Sequence, residues 1–225
     1  MVNFHRKILL GSGSPRRKLV LRELGFHFRT ITSDAAEIPL SHLVKGDIAV
    51  YLAEEKADNL KKFIQDDEIL ITADTIVCLD EIVLGKPGDS AHAFKMLQLL
   101  SGKTHQVFTG VCLMDLHSRY SICVQSNVHF HTLSDIEIKH YIEVYRPFDK
   151  AGSYGAQECL PEGVNPCSKE EKIFLERIGE KDLYERTKSK SHAERIPLIN
   201  YIEGSYFNVM GLPIIELAEE LEKWN

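Results

Sequence analysis

Arg16 and Arg17 follow Ser14-Pro15 where an apolar run at residues 8–10 gives way to small residues and then to a helical pattern. Ser14 can cap that helix, and Pro15 suits its first position, where no amide donor is needed. Backbone N–H groups at such a strand-to-helix turn point outward and favour an anion. Two permanent cations in the same turn oppose the helix macrodipole, so they cost stability unless something negative sits beside them. A phosphate resolves that conflict. A solvated basic turn is the plainer alternative, and the full string Ser12-Gly13-Ser14-Pro15-Arg16-Arg17 after a strand argues against it. Asp74 is the second group with chemistry to offer, because the run at residues 69–79 is apolar on both sides of it. A carboxylate in such a run is costly to bury without a cation or metal. An Asp at a strand end, bonded to local backbone, would be unremarkable, but here the apolar run resumes beyond it. That points to a functional acid.

Other groups carry less by themselves. Lys56, in Glu54-Glu55-Lys56-Ala57, sits on a helical pattern as many solvated lysines do. Pro87 restricts Lys86 to extended backbone, which can aim its ammonium at a fixed point. Asp34 and Glu37 lie in a loop near the cationic turn; two acids there can hold a metal, though they read as solvated. His129 and His131 alternate on a strand and so share a face, an arrangement that suits a metal. With no third ligand near in sequence, they read as outward polar residues. Residues 149–158 are rich in small side chains and read as a shaped loop. Within it Gln157 carries both a donor and an acceptor, fit to read a base edge and equally fit for a structural bond.

These groups need elements to hold them. Residues 8–10 predict a short buried strand, 15–24 a helix stopped at Gly25, and 26–32 a second strand. Residues 46–63 predict a long amphipathic helix with Ile48, Leu52, Ala53, Ala57 and Leu60 inward. Residues 69–79 predict a strand covered on both faces. Residues 90–100 predict a helix, and 104–115 with 120–132 a pair of strands. Ser134-Asp135-Ile136-Glu137 is a capping box opening a helix that reaches about Val144. Residues 159–197 are polar around Ile173, Phe174 and Ile178 and predict one short helix. A strand at 199–202 and a loop at 204–213 follow, and Pro213 opens a last amphipathic helix.

The totals bound the answer. A chain of 225 residues is long enough for one large α/β domain or two lobes sharing a core. Hydrophobic residues at 44% and charged residues at 27% fit an ordinary soluble globule. A net charge of -6 argues against a protein wrapped on nucleic acid while leaving room for a local basic pocket. Cys78, Cys112, Cys123, Cys159 and Cys167 form no CxxC, and the N-terminus lacks the apolar segment of a secretory signal, so a reducing cytoplasm is expected. No apolar stretch approaches the ~20 residues of a membrane helix.

Taken together, the motifs resemble the Maf-like nucleoside triphosphate pyrophosphatases, also called septum formation inhibitors. The matching stretches are Ser12-Gly13-Ser14-Pro15-Arg16-Arg17, Glu54-Glu55-Lys56-Ala57, Ala73-Asp74-Thr75-Ile76-Val77, Leu84-Gly85-Lys86-Pro87 and Leu100-Ser101-Gly102-Lys103-Thr104-His105. They continue through Thr109-Gly110-Val111, the run from Asp149 to Gln157, and Gly204-Ser205-Tyr206, to Val209-Met210-Gly211-Leu212-Pro213. They keep the family's order over nearly the whole chain. The resemblance implies an α/β fold, a mixed twisted sheet flanked by helices, with two lobes around a central cleft and similar to the inosine triphosphate pyrophosphatase architecture. It implies one domain over residues 1–225 that hydrolyses a nucleotide between its α- and β-phosphates with the help of Mg²⁺ or Mn²⁺. The loop Lys150-Ala151-Gly152-Ser153-Tyr154-Gly155-Ala156-Gln157 is similar to the branch that prefers dTTP and UTP. By position, Asp74 is then the general base and a metal ligand, and Glu37 a second carboxylate on the metal side. Arg16, Thr75 and Gln157 fall on specificity positions, and Ser12, Arg17, Lys56 and Lys86 on phosphate-contacting ones. A homodimer is the assembly the family suggests, with no nucleic acid or membrane partner.

The chain departs from that pattern twice. Glu158 follows Gln157 where a glycine is common, and residues 159–197 form an insertion in place of a short connection. Both lie beside the base-reading Gln, so they bear on base selection more than on chemistry. A branch acting on 7-methyl-GTP or another modified nucleotide is the alternative within enzymes, and a non-catalytic nucleotide-binding regulator of cell division the alternative outside them.

Overall fold

The computed structural model describes residues 4–33, 40–187 and 196–224. The chain begins with β1 (Lys7–Gly11), α1 (Pro15–Glu23) and β2 (Phe28–Ile31), followed by α2 (Gly46–Leu60) and a 3₁₀ turn at Lys61–Phe63. Then come β3 (Glu68–Leu79), β4 (Ile82–Leu84), α3 (Ser90–Leu100), β5 (Thr104–Met114), β6 (Arg119–Phe130) and α4 (Asp135–Tyr145). The last part holds α5 (Ala156–Cys159), α6 (Lys169–Arg177), α7 (Leu183–Thr187), β7 (Ile199–Glu203), α8 (Tyr206–Val209) and α9 (Ile214–Leu221).

Seven strands make one mixed sheet in the order β2-β1-β3-β5-β6-β7, with β4 also on β3. The β2-β1-β3 pairings are parallel and the rest antiparallel. The central strand β3 obeys the period of two. Ile69, Ile71, Ala73, Val77 and Leu79 join the large core cluster on one face, with Val20 and Leu21 of α1, Met96 and Leu97 of α3, and Leu217 of α9. Leu70, Ile76 and Cys78 face the other way, against α2. Burial on both faces is why the run from residue 69 to 79 is continuously apolar apart from Thr72, Asp74 and Thr75.

Local signals set most boundaries. The Ser14 hydroxyl accepts from Arg17 N, Pro15 occupies the first turn of α1, and Gly25 follows with φ of +85°, a conformation a side chain would strain. Ser134 and Glu137 form the expected reciprocal cap of α4.

Two expectations need correction. Residues 159–197 hold α6 and α7, not one short helix, and despite their polar composition Phe174, Leu175, Leu183 and Tyr184 are buried in the main core cluster. Within the apolar pattern that predicted the helix, Phe174 and Ile178 turn inward while Ile173 is left 57% exposed. The stretch at 204–213 contains the single-turn α8, whose Tyr206, Phe207 and Asn208 are all buried. Tertiary packing organises both segments, which is why local pattern underestimates them.

Candidate active site

Asp74 occupies a break in the sheet. On one edge β3 pairs without interruption with β5, from Leu70–Met114 to Cys78–Gln106. On the other edge β1 pairs with β3 only as far as Leu10–Ile71, and β4 joins only at Val77–Leu84. Between them, residues 72–76 have no strand beside them on that edge, and the cavity opens there. Alternation sends Asp74 toward the α2 face and Thr75 toward the α1 and α8 side, so the cavity wraps around the exposed edge of β3.

The acid is 7% exposed, and its Oδ1 is bound by the Lys56 ammonium. Lys56 follows Leu52 and precedes Leu60 by one helical turn each, so it lies on the stripe of α2 that packs on the sheet. That i, i+4 placement between two buried leucines is the signal that could have singled it out. Close approach of α2 depends on Gly110, which pairs directly with Asp74. A Cβ at Gly110 would sit 2.5 Å from Val50 N, inside the Ala49–Val50 peptide.

Arg17 braces the opposite wall. Its Nε donates to Gly211 O at 2.7 Å, one terminal nitrogen to Ser12 Oγ at 3.3 Å and the other to Thr75 Oγ1 at 3.0 Å. Thr75 also shares a 3.0 Å hydrogen bond with Thr109, which donates to Asn208 O at 2.9 Å. The guanidinium therefore ties the turn after β1 to β3 and to the chain after α8.

Ser12, Arg16, Arg17, Lys56, Asp74, Thr75 and Lys86 all line one cavity of about 830 Å³. That volume lies in the range of small-molecule sites. The structure also brings in residues that the sequence did not flag, Asp149, Lys150 and Tyr154. Burial pushes the Asp149 carboxyl up, but the Lys150 ammonium, 2.7 Å away, and the Arg16 guanidinium more than offset this and hold it below the usual carboxylate range. Among the described lining residues, five cations face two carboxylates in a chain of net charge -6. Tyr154 shares a 2.8 Å hydrogen bond with His105 Nε2, and burial pushes His105 down to about 3, so this support of the cavity wall is a neutral imidazole.

Gln157 is not brought to the cavity. It is absent from the lining, and its amide donates to the Thr187 carbonyl at the end of α7. Glu37 lies outside the described residues. His129 stacks on Tyr201 with ring centroids 3.9 Å apart and hydrogen-bonds Thr104, which makes it a surface strut. Among the described residues no group of three or more His, Cys, Asp or Glu side chains could hold a metal ion, and no helix is long and apolar enough to cross a membrane. All five cysteines are free.

A family model described as Maf-like protein matches residues 7–167. The chain belongs to the Maf-like family. This Maf-like chain is 42% identical over 218 residues to a Phocaeicola vulgatus protein named dTTP/UTP pyrophosphatase, covering 96% of this chain and 95% of that one. A Bacteroides thetaiotaomicron protein of the same name is 41% identical over 219 residues, covering 96% and 95%. A Bacillus cereus protein, again so named, is 36% identical over 220 residues, covering 98% and 96%. Among solved structures, a nucleoside-triphosphatase described as a dITP/XTP pyrophosphatase from Mycobacterium abscessus aligns at 15% identity with a TM-score of 0.35, over 55% of this chain and 72% of that one, a likeness too slight to argue from.

Proposed function

We propose that this chain is a cytoplasmic nucleoside triphosphate pyrophosphatase that hydrolyses dTTP and UTP to the monophosphate and pyrophosphate. The observation that carries the reading is Asp74, set in the break of the sheet and sharing one cavity with Arg16, Arg17, Lys56, Lys86 and Lys150. The names of the Phocaeicola, Bacteroides and Bacillus relatives support the same substrate class. We also read residues 1–225 as one domain, with residues 159–197 an insertion in it.

A triphosphate repels an incoming water. The cavity cations offset that charge, most strongly as it builds up in the transition state. In hydrolysis the water oxygen bonds to phosphorus at the α–β bridge, the bond to the departing pyrophosphate breaks, and the water proton passes to Asp74. Lys56 holds Oδ1 and so orients the carboxylate, while Oδ2 takes no hydrogen bond from any described residue and can accept that proton. Arg17 and Ser12 keep the turn before α1 in place beneath the phosphates. Asp74 together with phosphate oxygens would supply the hard donors that suit Mg²⁺ or Mn²⁺, with Glu37 proposed as a further ligand. Such an ion, when bound, lowers the pKa of its water. We assign base selection to Arg16 and Thr75, and to Gln157 on condition that a bound base competes with Thr187 for its amide.

The test is pyrophosphate release with Mg²⁺ over a panel of dTTP, UTP, 7-methyl-GTP and ATP. Release from dTTP and UTP ahead of the others is expected. Preference for 7-methyl-GTP would overturn the pyrimidine assignment, and nucleotide binding without any release would overturn the enzyme reading.

A further inference from the structure

We propose that Glu171, on the α6 segment that the mechanism above does not use, is a positioning residue that sets the cavity wall through α8. This rests on the proposed pyrophosphatase reading, and the test below separates the two.

Glu171 begins as an ordinary capping-box residue. The Ser168 hydroxyl accepts from its backbone N–H, and its own Oε2 accepts from Ser168 N at 2.9 Å. Such a carboxylate usually faces water, but this one is 0% exposed. It reaches beyond its helix to the start of α8. Oε2 also accepts from Tyr206 N at 3.0 Å, while Oε1 accepts from Ser205 Oγ at 2.6 Å and Phe207 N at 3.0 Å. Each oxygen thus has two donors, and no described Lys, Arg or His pairs with the group. A buried carboxylate with all its acceptor sites filled is retained at a desolvation cost, so its geometry is strongly specified.

What it fixes leads directly to the cavity. The turn it grips at Ser205–Phe207 continues to Asn208, whose carbonyl accepts from Thr109, and to Gly211, whose carbonyl accepts from Arg17 Nε. Thr109 and Arg17 both meet Thr75, and Arg17 and Thr75 line the cavity. The sheet holds α8 from below, through Asn208 Nδ2 to Val107 O and Ser126 Oγ. At its start Ser126 Oγ donates to Ser205 O at 2.9 Å, and Glu171 holds the hydroxyl and the first amides of that end. Without that grip the first turn of α8 frays, and the carbonyl that orients Arg17 loses its fixed place.

Glu171→Gln keeps the shape but turns one oxygen into a donor facing donors. Ser168→Ala is the control, since it removes the α6 cap and leaves the grip on residues 205–207. Both variants are compared with the intact chain in two measurements: steady-state kinetics with dTTP, and binding of inorganic pyrophosphate by calorimetry. Glu171→Gln is expected to raise KM and the pyrophosphate Kd about tenfold with kcat changed less than threefold, the scale of a coupling carried through packed elements. Ser168→Ala is expected to lower the melting temperature and leave both constants unchanged. If Glu171→Gln does not fold, Ser205→Ala, which removes one of the four bonds and with it the Ser205 cap on Asn208 N, is expected to shift both constants the same way by about threefold. Equal constants in a folded Glu171 variant, or the same shift in Ser168→Ala, would overturn the proposal. If the intact chain binds pyrophosphate without turning over dTTP, the pyrophosphatase reading fails while the positioning role is still decided by the Kd. If it binds no pyrophosphate, both fail.

Discussion

Among the described residues four helices start at a capping serine, and two of them, α1 and α8, have opposite surroundings. At α1, Ser14 accepts from Arg17 N, the first turn contains no acid, and Arg16 and Arg17 add positive charge at an end that opens on the cavity. At α8, Ser205 accepts from Asn208 N at 2.9 Å, and the Glu171 carboxylate fills the space in front of the first amides. The end inside the core supplies its own anion because water cannot reach it. The end at the cavity is left open with cations crowded on it, an arrangement that costs the free protein stability and that a bound polyanion relieves. A helix start at a cavity with two cations and no acid in its first turn is thus informative in a way that the same motif in the core is not.

The largest expected effect comes from removing the acid that the open end faces. Asp74→Asn keeps shape and loses charge, and turnover measured by pyrophosphate release is expected to fall at least ~100-fold, the scale of a lost general base. Next is Gly110→Ala. Its methyl collides with the Ala49–Val50 peptide and pushes α2, with Lys56, away from Asp74. A loss of about 1–3 kcal/mol in denaturant titration is expected, as for overpacking, together with a fall in kcat. Arg16→Glu gives the open end a carboxylate of its own, as at α8. Melting temperature is expected to rise by about 2–4 °C, as acid replaces base in a first turn, while KM for dTTP rises about tenfold, worth roughly 1.4 kcal/mol of lost binding. A rise in both stability and affinity would break the comparison. The smallest effect is expected at Glu68, which lies outside both helix starts. The Arg29 guanidinium, bonded to both its oxygens at 2.7 Å, holds its carboxyl below the usual range against the opposing effect of burial. A depressed carboxyl contributes stability above its unfolded pKa of about 4.3 and loses it as pH falls through the folded value. Glu68→Gln is therefore expected to cost about 1 kcal/mol at pH 7 and progressively less toward pH 3 in thermal melts, with dTTP kinetics unchanged.

Much of this arrangement can be read in the sequence, and the parts that cannot share a cause. The start and stop of α1, the strand carrying Asp74 and the cap of α4 are each encoded within a few neighbouring residues, and they stand where the pattern puts them. Asp74, Arg16 and Arg17 are conspicuous because their charge conflicts with their surroundings, whereas Lys86 is marked only by the proline that follows it. Lys56 is legible only once α2 is laid on β3, although its i, i+4 leucines were there to be read. Glu171 looks like a routine cap because its decisive bonds cross 34 to 36 residues. Gln157 carries a motif that suggests base reading, yet Thr187, thirty residues on, takes its amide. Helix α7 is poor in local signal because its place is set by burial against the rest of the core.

The uninterrupted ladder between β3 and β5 has a mechanical consequence. Asp74 sits on a strand paired residue by residue with β5, with Gly110 opposite it and core on either face. Under the proposed mechanism, adjustment to a charged tail then falls to the cavity wall outside this ladder, around Lys86 and Lys150, and not to the strand that carries Asp74.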